Sequence, residues 1–492
     1  MSSRLLRHRS AAAAVSPAAV FREFFGHDAG DAFWLDDAHG WSIIGTGVRW
    51  DARDGVIRAL GGLEAAWRAD PLPVADADAD ADTDTDTDTD TDTDAPPFVP
   101  GLVGWFGYGL TRETMGVAGE VGSVHPDAAL LRVDRAIAIG PAVGGLRRIE
   151  LIAVAGGWDD AGLAEWRDRT AARLGALVGA GTGTGTSSER ADDGAVAGSM
   201  AAPLPEVRWR AERAQYLESV RACQRAIERG DAYVLNLSTE IEVRPAPGGS
   251  PFDALDVYER LRSVSPAPHG GVVRIDGVTL LSSSPERFVR VADGVVTTYP
   301  VKGTRRRSAD AAADAALRDD LVRSVKERAE NVMIVDLMRN DLARVSEPGG
   351  VEVVSLLEVE THPQVHQLVS AVSARLRPGF GTAEVLAAAF PAGSMTGAPK
   401  LSAVRILDRL EHRARGLYSG AFGWVGRDGS ADLAMVIRSI VLDDEGATIG
   451  VGGGITALSV PEEEHDEVLL KARAMLQALG VDPDRGAPAV DI

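Results

Sequence analysis

The stretch Thr297-Thr-Tyr-Pro-Val-Lys302-Gly-Thr-Arg305 constrains this chain most, because it closes a hairpin signal and carries an isolated lysine. An alternating apolar run over residues 287–291 leads through Ala292-Asp293-Gly294 into Val295-Val296-Thr297-Thr298-Tyr299. A three-residue loop with glycine last suits a type I turn closed by a left-handed residue. In that register Glu286 pairs opposite Pro300, and Lys302 lies one diagonal further on the same face. An acid and a primary amine then meet at the open end of the hairpin. Taken alone, Lys302 reads as a surface lysine before a Gly-Thr turn; the residues downstream change that reading.

A chain of 492 residues exceeds one ordinary core, so one very large domain or two to three smaller ones are expected. Its 45% hydrophobic and 25% charged residues are those of a soluble globular protein. The net charge is -21, of which the tract Asp76 to Asp94 supplies ten aspartates, leaving about -11. That acidity argues against nonspecific binding to nucleic acid or anionic membranes. Cys223 is the only cysteine, which excludes an internal disulfide framework and suits a reducing compartment. No apolar run approaches the roughly 18 residues of a membrane span. The arginines at 4, 7 and 9 followed by residues 11–15 faintly resemble a signal peptide. Ser16-Pro17 and Arg22-Glu23 break that pattern, so a cytoplasmic chain is expected.

Residues 75–95, alternating Asp with Ala or Thr, repel one another and predict a disordered loop. Residues 178–200, with Gly-Thr repeats, read as a flexible linker; no Gly-Lys-Ser/Thr closes them into a phosphate loop. Residues 33–44, 98–108 and 128–140 each read as a strand, so residues 1–200 form a strand-rich N-terminal region. Beyond Trp209 the pattern predicts a helix over 212–229, a strand over 233–239 and another over 277–283 that ends at Ser284-Pro285-Glu286. Residues 481–492 form a tail.

Two helices carry acids. In Lys326-Glu-Arg-Ala-Glu330-Asn-Val-Met-Ile, Glu330 shares a face with Met333, Ile334 and Leu337. It is either a half-exposed acid at the stripe's edge or a carboxylate that is paired or holds a metal. Ser459-Val-Pro-Glu462 is a capping-box signature opening a helix on which Glu464, Glu467 and Lys471 line one face. Glu330, Glu464 and Glu467 make an oxygen-only set suited to Mg2+. The loop Phe390 to Lys400 presents small residues to an anion, and Gly452-Gly453-Gly454 is either a bulge or a place where backbone meets a ligand. Both fail the nucleotide-binding fingerprints. Arg438 and Tyr418 stand near strand ends.

Five blocks occurring in order resemble the chorismate-utilising enzymes, which include anthranilate, aminodeoxychorismate, isochorismate and salicylate synthases. They are Ser284-Pro-Glu286, Pro300-Val-Lys-Gly-Thr304, the run 329–341, Gly393 to Lys400, and Gly452 to Lys471. The resemblance covers residues 205–480, read as a chorismate-binding catalytic domain, with a weaker match near 33–45 and 98–110. It implies an α+β fold of stacked antiparallel sheets with helices outside. Lysine at 302, where anthranilate and isochorismate synthases carry alanine, resembles the aminodeoxychorismate branch. Val234 falls where isochorismate-type relatives carry a water-activating lysine. Gln367 stands where anthranilate synthases place a histidine, with His366 just before it, and neither receives a role.

By that resemblance, Lys302 attacks C2 of chorismate, and Glu286 is the general acid on the departing C4 hydroxyl. Mg2+ on Glu330 and Glu467, with Glu464 nearby, binds one substrate carboxylate. Arg438, Tyr418, Gly452, Gly453, Gly454 and Lys471 receive the other. Gly303, Thr304, Ser394, Thr396 and Gly397 line the substrate, and Arg305, Arg306 and Arg307 either help lower the Lys302 pKa or are simply solvated. Ammonia comes from a separate glutamine amidotransferase subunit in a heterodimer, and the product is 4-amino-4-deoxychorismate. The alternative is a chain forming anthranilate or 2-amino-2-deoxyisochorismate.

Overall fold

The computed structural model describes residues 3–26, 30–37, 40–52, 55–72, 95–117, 119, 121–155, 160–181, 204–361 and 365–482. Nearly all of the acidic tract, most of the 178–200 linker and most of the tail lie outside them. Two antiparallel sheets, of twelve and ten strands, organise the chain. Segments on both sides of residues 182–203 contribute to each sheet. Ala32–Asp36 pairs with His269–Ile275, with Trp34 opposite Val272, in the larger one. Gly101–Phe106 pairs with Ala421–Gly426, with Gly104 opposite Gly423, in the smaller.

The sheets face each other across Phe33, Trp105, Val273, Phe422 and Trp424. Strands buried on both faces carry continuous apolar runs, which is why Gly101–Phe106 reads Gly-Leu-Val-Gly-Trp-Phe. Helices cover the outer faces. Val220, Tyr258, Leu407 and Met475 pack helices onto the larger sheet, and Leu60, Ile334 and Leu386 onto the smaller. Each fully buried Leu or Ile contributes about 1.5–3 kcal/mol of burial free energy. The architecture is the expected α+β sandwich.

The hairpin that opens the argument differs from its sequence reading. Ala292 pairs with Val295, Val291 with Val296 and Arg290 with Thr297, so the loop is the two residues Asp293-Gly294. Both have positive φ, 51° and 70°, the signature of the I′ turn that Asp-Gly favours. The register is displaced by one residue from the expectation, and Glu286 does not pair opposite Pro300. The ladder breaks at Pro300, which has no N–H to donate. Val295–Thr298 and Val301–Arg306, on either side of that break, both pair with Val365–Leu376, with Thr298 opposite Val372 and Val301 opposite Val369.

Other single-strand expectations divide in two. Residues 33–44 form a hairpin, Ala32–Asp36 with Ser42–Gly45. Residues 128–140 split at Val133-Asp134 into Ala128–Arg132 and Arg135–Val143, one strand in each sheet.

Candidate active site

The floor of the site is the strand Gly446–Ile455, paired with Val234–Arg244 in unbroken register from Leu235 opposite Ile455 to Val243 opposite Ala447. Gly452, Gly453 and Gly454 are thus ladder residues, not a bulge. Each is glycine for its own reason. A Cβ on Gly452 would meet the Leu237 carbonyl oxygen at 2.4 Å, so backbone fills that side. On Gly453 it would stand 3.3 Å from Glu464 Oε2 and 3.8 Å from Lys471 Nζ. On Gly454 it would stand 3.8 Å from Glu330 Oε2, 3.9 Å from Lys302 Nζ and 3.6 Å from Val234 Cγ2. Side-chain-free backbone therefore faces the acids and lysines of the expected site.

Lys302 reaches this floor from a bulge. Register slips between Val301 and Thr304 opposite Val365–Leu376, and Gly303 takes φ 87° with Leu321 and Glu327 against it. A bulge re-aims the side chain beside it. Thr304 pairs with Gln367 in the ladder and belongs to the bulge. Two of the three arginines beside the lysine are paired with other acids. Arg305 Nε donates to Asp320 at 2.7 Å and Arg307 Nε to Asp314 at 2.9 Å, because the facing helix Ala311–Arg323 offers acids there. His366 bonds Asp314 and Thr361.

Glu286 follows the strand Val278–Ser284, and its Oε1 accepts from Ser394 Oγ at 2.8 Å. Burial raises its pKa; Lys302, Ser394 and Lys471 pull the other way without cancelling the effect. Ser394 is fixed in turn, since Asn236 Nδ2 donates to its carbonyl at 2.5 Å. Thr396 and Gly397 do not face the acids. Thr396 Oγ1 bonds back to the Ala392 carbonyl at 3.1 Å, and Gly397 packs on the Val234 carbonyl, where a Cβ would stand 2.1 Å away. Lys400 is paired with Asp341 at 2.5 Å.

Arg415 secures this corner, donating to the carbonyls of Met395 at 2.7 Å and Asn236 at 2.8 Å. Its ion pair with Glu411 is buried on both sides. The sequence reading overlooked both Asn236 and Arg415, which carry no motif. Tyr418 packs its ring on Gly450, where a Cβ would stand 2.1 Å from the ring; burial pushes its phenol up to about 12. Arg438 sits at φ 51°, and burial lowers its pKa against the opposing charges of Glu467 and Tyr418.

The helix Val325–Ala343 buries Glu330, Ile334 and Met338 along one side. Met333 and Leu337 are only half-buried, so the stripe lies about one residue from its expected position. Glu330 is 8% exposed, which removes the half-exposed alternative. Burial raises its pKa despite Lys302 and Lys326, and its Oε1 has no hydrogen-bond partner. The capping box at Ser459 does not form. Pro461 opens the helix, Val460 becomes the N-cap, and Ser459 Oγ donates to Glu464 Oε1 at 2.7 Å instead.

Glu464 is buried and also takes Lys326 Nζ at 3.4 Å. Lys471 Nζ lies 2.6 Å from Glu467 and donates to the Gly452 carbonyl at 2.9 Å. Burial disfavours the Glu467 charge, but Lys471, Lys326 and Lys302 outweigh it and lower the pKa.

Among the described residues no three acidic, histidine or cysteine side chains stand as a metal-ligand group. The expected ligands are interleaved with lysines. In kind the donors still fit a hard divalent cation: they are carboxylate oxygens only, and one of them is buried without a partner. Lys326 opens the Glu330 stretch but received no role from the sequence, although a count singles it out. The chain has only four lysines among 51 basic residues, at 302, 326, 400 and 471, and all but Lys400 converge here.

Comparison with known proteins places the chain in a family. The profile of the chorismate binding enzyme family matches residues 30–477. An aminodeoxychorismate synthase of Streptomyces pristinaespiralis is 41% identical over 380 residues, 77% of this chain and 50% of that protein. The chain spans about half the length of the Streptomyces relatives it matches. An anthranilate synthase component 1 of Pseudomonas putida is 35% identical over 392 residues, 78% of this chain and 76% of that protein. The crystal structure of anthranilate synthase component I from Streptococcus pneumoniae TIGR4 superposes with a TM-score of 0.62 at 24% identity, covering 94% of this chain and 97% of that one. With a match over most of its length and a site assembled from that matched region, this chain belongs to the chorismate-binding enzymes.

Proposed function

We propose that the chain is an aminodeoxychorismate synthase component I, which replaces the C4 hydroxyl of chorismate with an amino group. The observation that supports this reading is Lys302, a primary amine that stands beside the glycine floor and within electrostatic reach of Glu286 and Glu330. The Lys302 amine attacks C2, the ring double bond shifts, and the C4–O bond breaks. Glu286 delivers the proton that lets the oxygen leave as water. Ammonia then adds at C4, the double bond returns, and the C2–N bond to Lys302 breaks, leaving the amine free. No electrons are gained or lost overall.

Arg438, Tyr418, Lys471 and the backbone of Gly452 to Gly454 hold a substrate carboxylate. Glu330, Glu464 and Glu467 would hold Mg2+, which supplies positive charge against the other carboxylate when bound. Val234 stands where isochorismate-type relatives carry a water-activating lysine, and valine cannot take that part.

Ammonia is supplied by a separate glutamine amidotransferase subunit. A cytoplasmic location accords with the single, buried cysteine. Among the described residues no helix is long and apolar enough to cross a membrane.

Lys302→Arg tests the covalent role, because arginine keeps the charge but stays protonated and cannot attack. The reading expects Lys302→Arg and Lys302→Ala to lose 4-amino product alike. Wild-type rates in Lys302→Arg would assign the lysine to charge neutralisation alone.

A further inference from the structure

Lys326 lies one helical turn before Glu330 on Val325–Ala343, so the two side chains share a face. Its ammonium donates to Glu464 Oε1 at 3.4 Å, a long bond, while Ser459 holds that same oxygen at 2.7 Å. Burial disfavours the Lys326 charge, yet Glu464, Glu330 and Glu467 together outweigh that cost and keep it protonated. All three acids of the group thus act on this one ammonium.

Lys471 is tied down by Glu467 and the Gly452 carbonyl. Lys326 is not anchored in that way: its side chain is 44% exposed and has a single long bond. Glu330 Oε1 meanwhile has no hydrogen-bond partner, and the charges of Lys302 and Lys326 offset the cost of its burial only in part.

We propose that Lys326 is the displaceable counter-ion of the Glu330, Glu464 and Glu467 carboxylates, seated among them without a divalent cation and expelled to solvent when one binds. The inference rests on the divalent-cation reading of the site. Lysine suits this role better than arginine, which this chain uses for nearly every other basic position. A guanidinium would fork across a carboxylate and resist displacement, whereas an ammonium on a flexible four-carbon stem lets go. Ser459 keeps Glu464 oriented after the ammonium leaves.

The test is limited reductive methylation of the full wild-type chain with and without Mg2+, read per lysine by peptide mass spectrometry. Only four lysines compete for reagent, and Lys400, with its side chain 12% exposed, is an internal reference. Labelling at Lys326 should rise severalfold on adding Mg2+ while Lys400 stays constant. Calorimetric titration with Mg2+ should show about three- to tenfold tighter binding by Lys326→Met, which removes the competing charge. If wild-type chain binds Mg2+ but Lys326 labelling is unchanged or falls, the displacement is overturned and the metal reading survives. If the wild-type chain shows no Mg2+ binding, the metal reading fails and takes this inference with it.

Discussion

Glu286 is the residue whose environment says most about how the site works. The proposed role of general acid requires it protonated, and burial raises its pKa above the usual carboxylate value. Turnover should therefore fall as pH rises past that raised value, giving an alkaline limb. Ser394 stabilises the ionised form through its 2.8 Å hydrogen bond, so Ser394→Ala should raise the pKa further and move the limb to higher pH. A limb that stays put or moves down would assign it to another group. Glu286→Gln should lower kcat by about 10²–10⁴, the usual worth of a positioned acid. The same raised pKa works against stability. The folded chain holds this proton more tightly than the unfolded chain, so the contribution to stability is present at low pH. It is lost as pH climbs from the unfolded value, about 4.3, through the folded one. Glu286→Gln and Glu330→Gln, neutral throughout, should melt above the wild type at pH 8 and lose that advantage near pH 4. Equal melting temperatures at both pH values would contradict the burial argument.

At the scale of elements, the glycine strand makes two opposite predictions within three residues. Gly454→Ala places a methyl at ordinary contact distance from Val234, Glu330 and Lys302, so the fold should survive and KM for chorismate should rise. Gly452→Ala drives its methyl into the Leu237 carbonyl and should lower Tm by several degrees, a shift of about 1–3 kcal/mol for overpacking. The opposite pattern would mean that Gly454 does not border the substrate. This strand also marks how far the sequence could be read. From the residues alone Gly452 to Gly454 read as a bulge or as a place where backbone meets a ligand, and only the family resemblance set them beside Lys471; that they lie in a regular ladder was not legible. The Asp293-Gly294 pair announced a turn, but counting Ala292 into the loop displaced the register, and a one-residue slip inverts every facing in a strand. Lys302 still arrives at the acids, carried by the bulge at Gly303 rather than by the hairpin. Glu330's burial could not be separated from half-exposure by periodicity, because a helix stripe fixes direction and not depth. Asn236 and Arg415 act through backbone carbonyls of distant segments, which no local pattern encodes.

For the whole molecule, two sheets drawn from both ends of the chain converge on one site, and its single cysteine does not suit glutamine hydrolysis. Cys223 is buried in the helix Arg213–Glu228, and burial pushes its thiol up to about 12, so it is no nucleophile at neutral pH. The purified chain should turn over with ammonium salts and remain inactive with glutamine until an amidotransferase subunit is added. Glutamine-dependent turnover by the chain alone would refute that division of labour. Both aminodeoxychorismate and anthranilate synthases stand among its relatives, so the product decides the account. The direct measurement is chromatography with mass detection of the compound formed from chorismate, Mg2+ and ammonium. The account predicts 4-amino-4-deoxychorismate, with its enolpyruvyl group retained; accumulation of anthranilate would contradict it.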